Sequence, residues 1–139
     1  MLRVVETFSG IGSQAKALKK ANIQHEILAI VEWDINAILA YDLIHNGPQD
    51  FSSYKELTKK ELIEELSKYA ISNDGKNPIK PRSLSITSRD SLVSILIAIK
   101  RTKNLINITE VHGDDLPDEI DVLTYSFPCQ DLSICGLWH

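Results

Sequence analysis

The chain has 139 residues, of which 43% are hydrophobic and 24% charged, and these values are typical of one globular domain. No apolar run approaches the roughly 18 residues of a membrane span, and two cysteines argue against a disulfide framework. The net charge of −4 argues against a protein that holds a polyanion unaided. All 15 basic residues lie at or before Lys103, so an anion bound near the C-terminus would be held mainly by groups from elsewhere.

The first 48 residues alternate between strand and helix patterns. The predicted elements are a β-branched strand over 2–7, a glycine-bearing turn over 8–13, a helix over 14–21, an apolar strand over 27–31 and a helix from Asp34 to about His45. Asp34 is a good N-cap, and Asn46-Gly47-Pro48 is a strong helix stop. This order is typical of the start of a doubly wound α/β sheet.

The segment from about 50 to 106 differs and is predicted to be a two-helix insertion packed on the sheet. Thr58 and Glu61 form a capping-box pattern ahead of an apolar stripe, and a second, largely apolar helix is predicted over 87–101, after a loop at 73–82. Residues 107–111 then predict a third strand and residues 120–125 a fourth. We therefore expect an incomplete parallel sheet.

Acidic and aromatic residues at the predicted strand ends point to an adenosine-containing ligand. Phe8, Gly10 and Gly12 lie in a turn where the backbone can approach a ligand closely. Glu32 follows the second strand and suits a ribose diol, and Trp33 beside it offers a flat face to a purine. Asp114, after the third strand, could accept a hydrogen bond from an adenine amino group. The third glycine of a dinucleotide fingerprint is missing, which favours S-adenosylmethionine without excluding a dinucleotide.

Cys129 is the candidate nucleophile. It follows Pro128 directly after the fourth predicted strand, at the edge where such sheets bind ligands. A lone cysteine is more often a small buried hydrophobe, and no histidine base is evident beside it. Cys129 and Cys135 have no further ligands nearby, so we expect no metal site.

Four motifs together resemble those of the DNA (cytosine-5)-methyltransferase family. They are Thr7-Phe8-Ser9-Gly10-Ile11-Gly12, Glu32-Trp33-Asp34, Gly113-Asp114 and Phe127-Pro128-Cys129-Gln130-Asp131-Leu132-Ser133. The resemblance covers residues 2–46 and 107–137, and the insertion has no counterpart. It implies a Rossmann-like S-adenosylmethionine-dependent methyltransferase fold, of which residues 1–139 would be a partial catalytic domain without the target-recognition domain.

The resemblance also implies roles for particular residues. S-adenosylmethionine would be bound by Phe8, Ser9, Gly10, Ile11, Gly12, Glu32, Trp33, Asp114 and Pro128. Cys129 would add to C6 of a cytosine flipped out of double-stranded DNA, while Gln130 and Ser133 would contact the DNA. A cytoplasmic setting, in a bacterial or phage restriction–modification system, is expected.

The sequence departs from the family because no Glu-Asn-Val motif, which carries the general acid, occurs in it. General acid–base catalysis is worth about 10²–10⁴ in rate, so we expect the chain to be a fragment or subunit that is inactive alone. A complementary C-terminal chain, or self-association, would cover the exposed fourth strand. The first alternative is a non-catalytic S-adenosylmethionine-binding remnant. The second is a nicotinamide-dependent oxidoreductase, which leaves Pro128-Cys129-Gln130 without a role.

Overall fold

The computed structural model describes residues 1–126, so residues 127–139 lie outside it. Its main elements are β1 (Leu2–Thr7), α1 (Ser13–Lys20), β2 (His25–Val31), α2 (Ile35–Asn46), α3 (Lys59–Leu66), α4 (Pro81–Ile86), α5 (Arg89–Arg101) and β3 (Val122–Tyr125). Short 3-10 helices lie at Ser52–Tyr54 and Gly113–Asp115. The mixed architecture, with a small parallel sheet and helices, confirms the predicted α/β fold class.

The sheet has β1 at its centre. The strand order is β2-β1-β3, and both pairings are parallel. Val4 and Val5 of β1 are fully buried, as expected for a central strand flanked on both sides. Asp121 ties the start of β3 to β1, because its carboxylate accepts hydrogen bonds from the backbone N–H (2.8 Å) and Nε (3.1 Å) of Arg3. The carboxyl ends of all three strands therefore meet at one edge of the sheet.

The prediction of a third strand over residues 107–111 is wrong. The chain instead makes a single parallel bridge between Asn104 and Ile30 and then turns at residues 108–110. The side chain of Asn104 replaces a longer ladder, because its Nδ2 donates to the Glu32 carbonyl (2.9 Å) and its Oδ1 accepts from the Glu32 N–H (3.1 Å). Main-chain pairing beside β2 is thus short and begins earlier than the sequence pattern indicated.

The helix boundaries that rest on local capping chemistry are confirmed. Asp34 accepts hydrogen bonds from the backbone N–H groups of Asn36 and Ala37 at the start of α2, and Gly47 ends that helix with a φ of 74°. Thr58 and Glu61 form the predicted capping box at the start of α3. These signals are local, so tertiary context does not override them.

The segment 50–106 holds three α-helices, so the prediction of two is wrong. α4 was missed because its sequence, Pro-Arg-Ser-Leu-Ser-Ile, has little apolar periodicity, and only Leu84 is buried. α5 packs against both α2 and α3. Buried side chains of these helices form one core with Ile71 and Ile106. The insertion is therefore packed on the helix that follows β2.

Candidate functional site

A cavity of about 410 Å³ lies at the carboxyl ends of the strands. Its lining residues come from the ends of all three strands, from segment 106–109 and from the insertion: Phe8, Val31, Glu32, Trp33, Gly75, Ile106, Asn107, Ile108, Thr109 and Ser126. A cavity of similar volume, about 430 Å³, lies between α3 and α5. Position rather than size therefore distinguishes the first, because parallel α/β sheets bind ligands beyond their strand ends.

Glu32 is held rigidly at the rim of this cavity. Its Oε2 accepts a hydrogen bond from the backbone N–H of Gly10 (2.8 Å), and its Oε1 accepts from those of Trp33 and Asp34 (both 2.9 Å). A carboxylate offers roughly four acceptor positions, and three are taken. The remaining one, on Oε2, can accept a ligand hydroxyl without breaking any of these bonds.

Phe8 and Trp33 supply aromatic surface to the cavity. Phe8 follows β1 with a φ of 51°, a conformation that is rare for a bulky residue and that this tight turn imposes. Trp33 is half-buried and also packs against the helical core. Sequence reasoning offered core packing and ligand contact as alternatives for this tryptophan, and its position permits both.

The glycine turn serves the site in two ways. The Gly10 N–H holds Glu32, and no atom lies within 4 Å of a Cβ built on Gly10. Gly12 instead allows close packing, since its Cβ would lie 2.6 Å from Cε2 of Tyr41. Ser9 is buried, and its hydroxyl has no hydrogen-bond partner among residues 1–126. None of these three, nor the half-exposed Ile11, lines the cavity.

A buried carboxylate stabilises the turn through hydrogen bonds to two helices. Glu6 is fully buried in β1, where its Oε1 accepts a hydrogen bond from the backbone N–H of Ala15 (2.8 Å) and its Oε2 accepts from the hydroxyl of Tyr41. Burial, followed by the hydrogen bond to this carboxylate, raises the pKa of Tyr41. The contacts join β1, α1 and α2 and fix the turn from which Phe8 and Gly10 project.

Asp114 does not line the cavity with Phe8, Glu32 and Trp33. It is exposed in the 3-10 helix Gly113–Asp115. After the Asn104 bridge the main chain brings residues 106–109 to the cavity, and among them is Asn107, which sequence reasoning missed as a site residue. Its Oδ1 accepts from the Thr109 N–H (3.1 Å) and its Nδ2 donates to Glu110 (3.0 Å). The apolar run beginning at Leu105, two residues before the predicted strand, was the available signal.

The predicted nucleophile and its neighbours lie outside the described residues. These are Pro128, Cys129, Gln130 and Ser133. The described chain reaches Ser126, which lines the cavity and accepts a hydrogen bond from Nε2 of Gln14 (3.1 Å). β3 is held beside the turn because Oγ1 of Thr7 donates to the Thr124 carbonyl (3.0 Å).

A carboxylate and two aromatic side chains beyond the ends of parallel strands define an α/β domain suited to a nucleoside-containing ligand. Comparison with known proteins narrows this class. A family model described as C-5 cytosine-specific DNA methylase matches residues 83–138, a range that includes Cys129.

Curated relatives match almost the whole chain. Orphan methyltransferase M.SssI of Spiroplasma monobiae is 39% identical over 140 residues, covering 98% of this chain and 36% of the relative. Type II methyltransferase M2.ScrFI of Lactococcus lactis subsp. cremoris is 40% identical over 137 residues, covering 98% and 37%. Orphan methyltransferase M.Rho11sI of Bacillus phage rho11s is 37% identical over 65 residues, covering 45% and 13%.

The family model and the two relatives that match 98% of the chain confirm the predicted resemblance to the C-5 cytosine-specific DNA methylase family. The chain spans little more than a third of the length of the two relatives that match along nearly all of it. Among residues 1–126, no helix has the length and hydropathy that crossing a membrane requires.

Proposed function

We propose that this chain provides the S-adenosylmethionine site and the attacking thiol of a DNA (cytosine-5)-methyltransferase, in a bacterial or phage restriction–modification setting. The proposed reaction moves a methyl group from the cofactor to C5 of cytosine in DNA, which implies a cytoplasmic location. The observation that carries the proposal is Glu32, fixed by three backbone N–H groups at the rim of a cavity that Phe8 and Trp33 also line. The match to the C-5 cytosine-specific DNA methylase model supports the reaction class.

The chemistry of the cavity suits the nucleoside part of the cofactor. Oε2 of Glu32 has an acceptor position left for a ribose hydroxyl. Phe8 and Trp33 offer apolar faces to adenine. Asn107 brings an amide to the same cavity and is our candidate for the adenine edge, a role for which Asp114 remains the prediction from sequence.

Cys129 is the proposed nucleophile. Its thiolate adds to C6 of a cytosine flipped out of the duplex, and the C5–C6 double bond supplies electrons that make C5 nucleophilic. When bound, S-adenosylmethionine supplies the electrophilic methyl group. Loss of the C5 proton with departure of the thiolate restores the aromatic ring. Cys129 follows the cavity residue Ser126 by three positions, and three residues reach at most about 11 Å.

Covalent capture tests the nucleophile. The chain, mixed with the part of a relative that it does not match, is incubated with DNA carrying 2-pyrimidinone in place of the target cytosine, because that ring accepts a thiolate readily. We expect a protein–DNA adduct that mass spectrometry locates at Cys129. The adduct should vanish in Cys129→Ser and persist in the matched control Cys135→Ser.

Covalent capture combined with ligand-binding measurements separates the proposal from its alternatives. Binding of S-adenosylhomocysteine without any adduct would favour a non-catalytic cofactor-binding remnant. An adduct that survives Cys129→Ser would refute the assigned nucleophile. Calorimetry should also show binding of S-adenosylhomocysteine and none of NAD, and the reverse preference would favour an oxidoreductase.

We also propose that the complementary part of the methyltransferase completes the sheet beside β3. No strand among residues 1–126 pairs with the outer side of β3, and Leu123 on that strand is 56% exposed. Exposed edge strands with apolar side chains tend to acquire partners. Sedimentation should show a complex with the complementary part. A chain that stays monomeric in its presence would contradict this, and a homodimer formed alone would indicate self-association.

A further inference from the structure

The loop of residues 72–78 belongs to the insertion, yet it is attached to the turn that carries Glu32 and Trp33. The Ser72 N–H donates a hydrogen bond to the Trp33 carbonyl (2.7 Å), and the Ile35 N–H donates to the Ser72 carbonyl (2.8 Å). Ser72 and Asp34 thereby form a parallel bridge. Movement of the loop would therefore strain the turn that presents Glu32 to the cavity.

The loop is also rigid in itself. The carboxylate of Asp74 accepts hydrogen bonds from the backbone N–H groups of Lys76 (2.8 Å) and Asn77 (2.9 Å). These amide donors hold the pKa of Asp74 well below its usual range. The fully buried Ser72 hydroxyl donates to the Asn77 carbonyl (2.6 Å) and accepts from the Gly75 N–H (3.0 Å). We call this set of bonds the Ser72–Asp74 clasp.

Gly75 is the loop residue that lines the cavity, together with Glu32 and Trp33. Its φ is +66°, in the left-handed region, and the nearest atom to a Cβ built on it is Oδ2 of Asp34, at 3.8 Å. A Cβ at Gly75 would therefore make an ordinary van der Waals contact with Asp34, and a longer side chain there could extend into the mouth of the cavity.

Resting on the proposed function, we propose that residues 72–78 form a wall of the cofactor cavity and that Gly75 controls entry of the nucleoside part of the cofactor. The Ser72–Asp74 clasp positions this wall. The insertion, which the sequence offered no role for, thus becomes part of the adenosine site.

The test is equilibrium binding of two ligands to one residue pair. Gly75→Asn adds a side chain while keeping a residue that tolerates left-handed backbone, and Lys76→Asn places the same side chain on the neighbouring residue, which does not line the cavity. Calorimetry is run with S-adenosylhomocysteine and with methylthioadenosine, which lacks the amino-acid end. We expect Gly75→Asn to lower the affinity for both ligands by the same factor, about tenfold or 1.4 kcal/mol. Lys76→Asn should lower the affinity for neither.

The clasp is tested by a second pair, which also covers a Gly75 variant that fails to fold. Asp74→Ala removes the acceptor and should weaken the binding of both ligands. Asp74→Asn keeps an oxygen acceptor, so it should restore that binding and leave the melting temperature unchanged. Full affinity in folded Gly75→Asn and Asp74→Ala, or a loss confined to S-adenosylhomocysteine, would overturn the inference. Wild-type chain that binds neither ligand would instead refute the proposed function.

Discussion

Replacing Asn104 by alanine should break the side-chain hydrogen bonds that join Glu32 to the cavity segment beginning at Ile106. Asn104 is buried, with an exposed fraction of 7%, and its side chain makes three hydrogen bonds to the backbone. They join it to the Glu32 N–H (3.1 Å), the Glu32 carbonyl (2.9 Å) and the Ile106 N–H (2.8 Å). Alanine leaves these groups unpaired, and at about 1 kcal/mol each the free energy of unfolding should fall by about 3 kcal/mol.

Urea unfolding measures this effect. With a denaturant slope of about 2 kcal/mol per molar urea, the midpoint of Asn104→Ala should fall by about 1.5 M. Asn107→Ala is the matched control, because within residues 1–126 the Asn107 side chain hydrogen-bonds only to the exposed residues Thr109 and Glu110. Its midpoint should change little while its affinity for S-adenosylhomocysteine falls. Equal midpoints for the two variants would refute the structural role given to Asn104.

Two further substitutions, Gly12→Ala with its control Gly113→Ala and Asp121→Asn, test the elements around the site. Gly12→Ala should lower the free energy of unfolding by about 1–3 kcal/mol, since the added Cβ meets Tyr41 at 2.6 Å and φ is +82°; Gly113→Ala, with open space around it, should have little effect on the melting temperature. Hydrogen bonds from the side chain and backbone of Arg3 lower the pKa of Asp121 to about 2, against about 3.9 in unfolded chains. This carboxylate therefore stabilises the fold fully above about pH 4 and loses its effect as the pH falls toward 2, so Asp121→Asn should flatten the melting temperature over that range. An unchanged acid limb in this variant, or equal melting temperatures for the two glycine variants, would contradict these assignments.

The sequence predicted the parts of the fold that local chemistry determines. β1 and β2 are short runs of β-branched and apolar residues, and caps such as Asp34 and Thr58 act within one helical turn. The third strand was misplaced because a side chain, Asn104, replaces most of its ladder, and side-chain substitution of this kind leaves no periodic pattern. α4 also left no periodic pattern in the sequence, because only one of its residues is buried.

The candidate site was predictable where a motif coincides with a strand end, as at Phe8, Glu32 and Trp33. Gly75 could not be predicted, because it reaches the cavity only through backbone pairing between Ser72 and Trp33, 39 positions apart in the chain. Such a contact depends on the packing of the whole insertion, which no local sequence signal encodes. Asn107 was missed because it was assigned to a strand over 107–111, whereas the main chain pairs with β2 earlier, at Asn104.

Calorimetric binding of S-adenosylhomocysteine to Glu32→Gln is the most direct test of the proposal that Glu32 is part of an S-adenosylmethionine site. Glutamine keeps an oxygen for the Trp33 and Asp34 N–H groups but puts an NH₂ group where Oε2 would accept the ribose hydroxyl. We expect the affinity to fall at least about tenfold, while Glu26→Gln, at an exposed position on β2, binds like the wild type. Equal affinity of a folded Glu32→Gln variant and the wild type would contradict the assignment of this cavity.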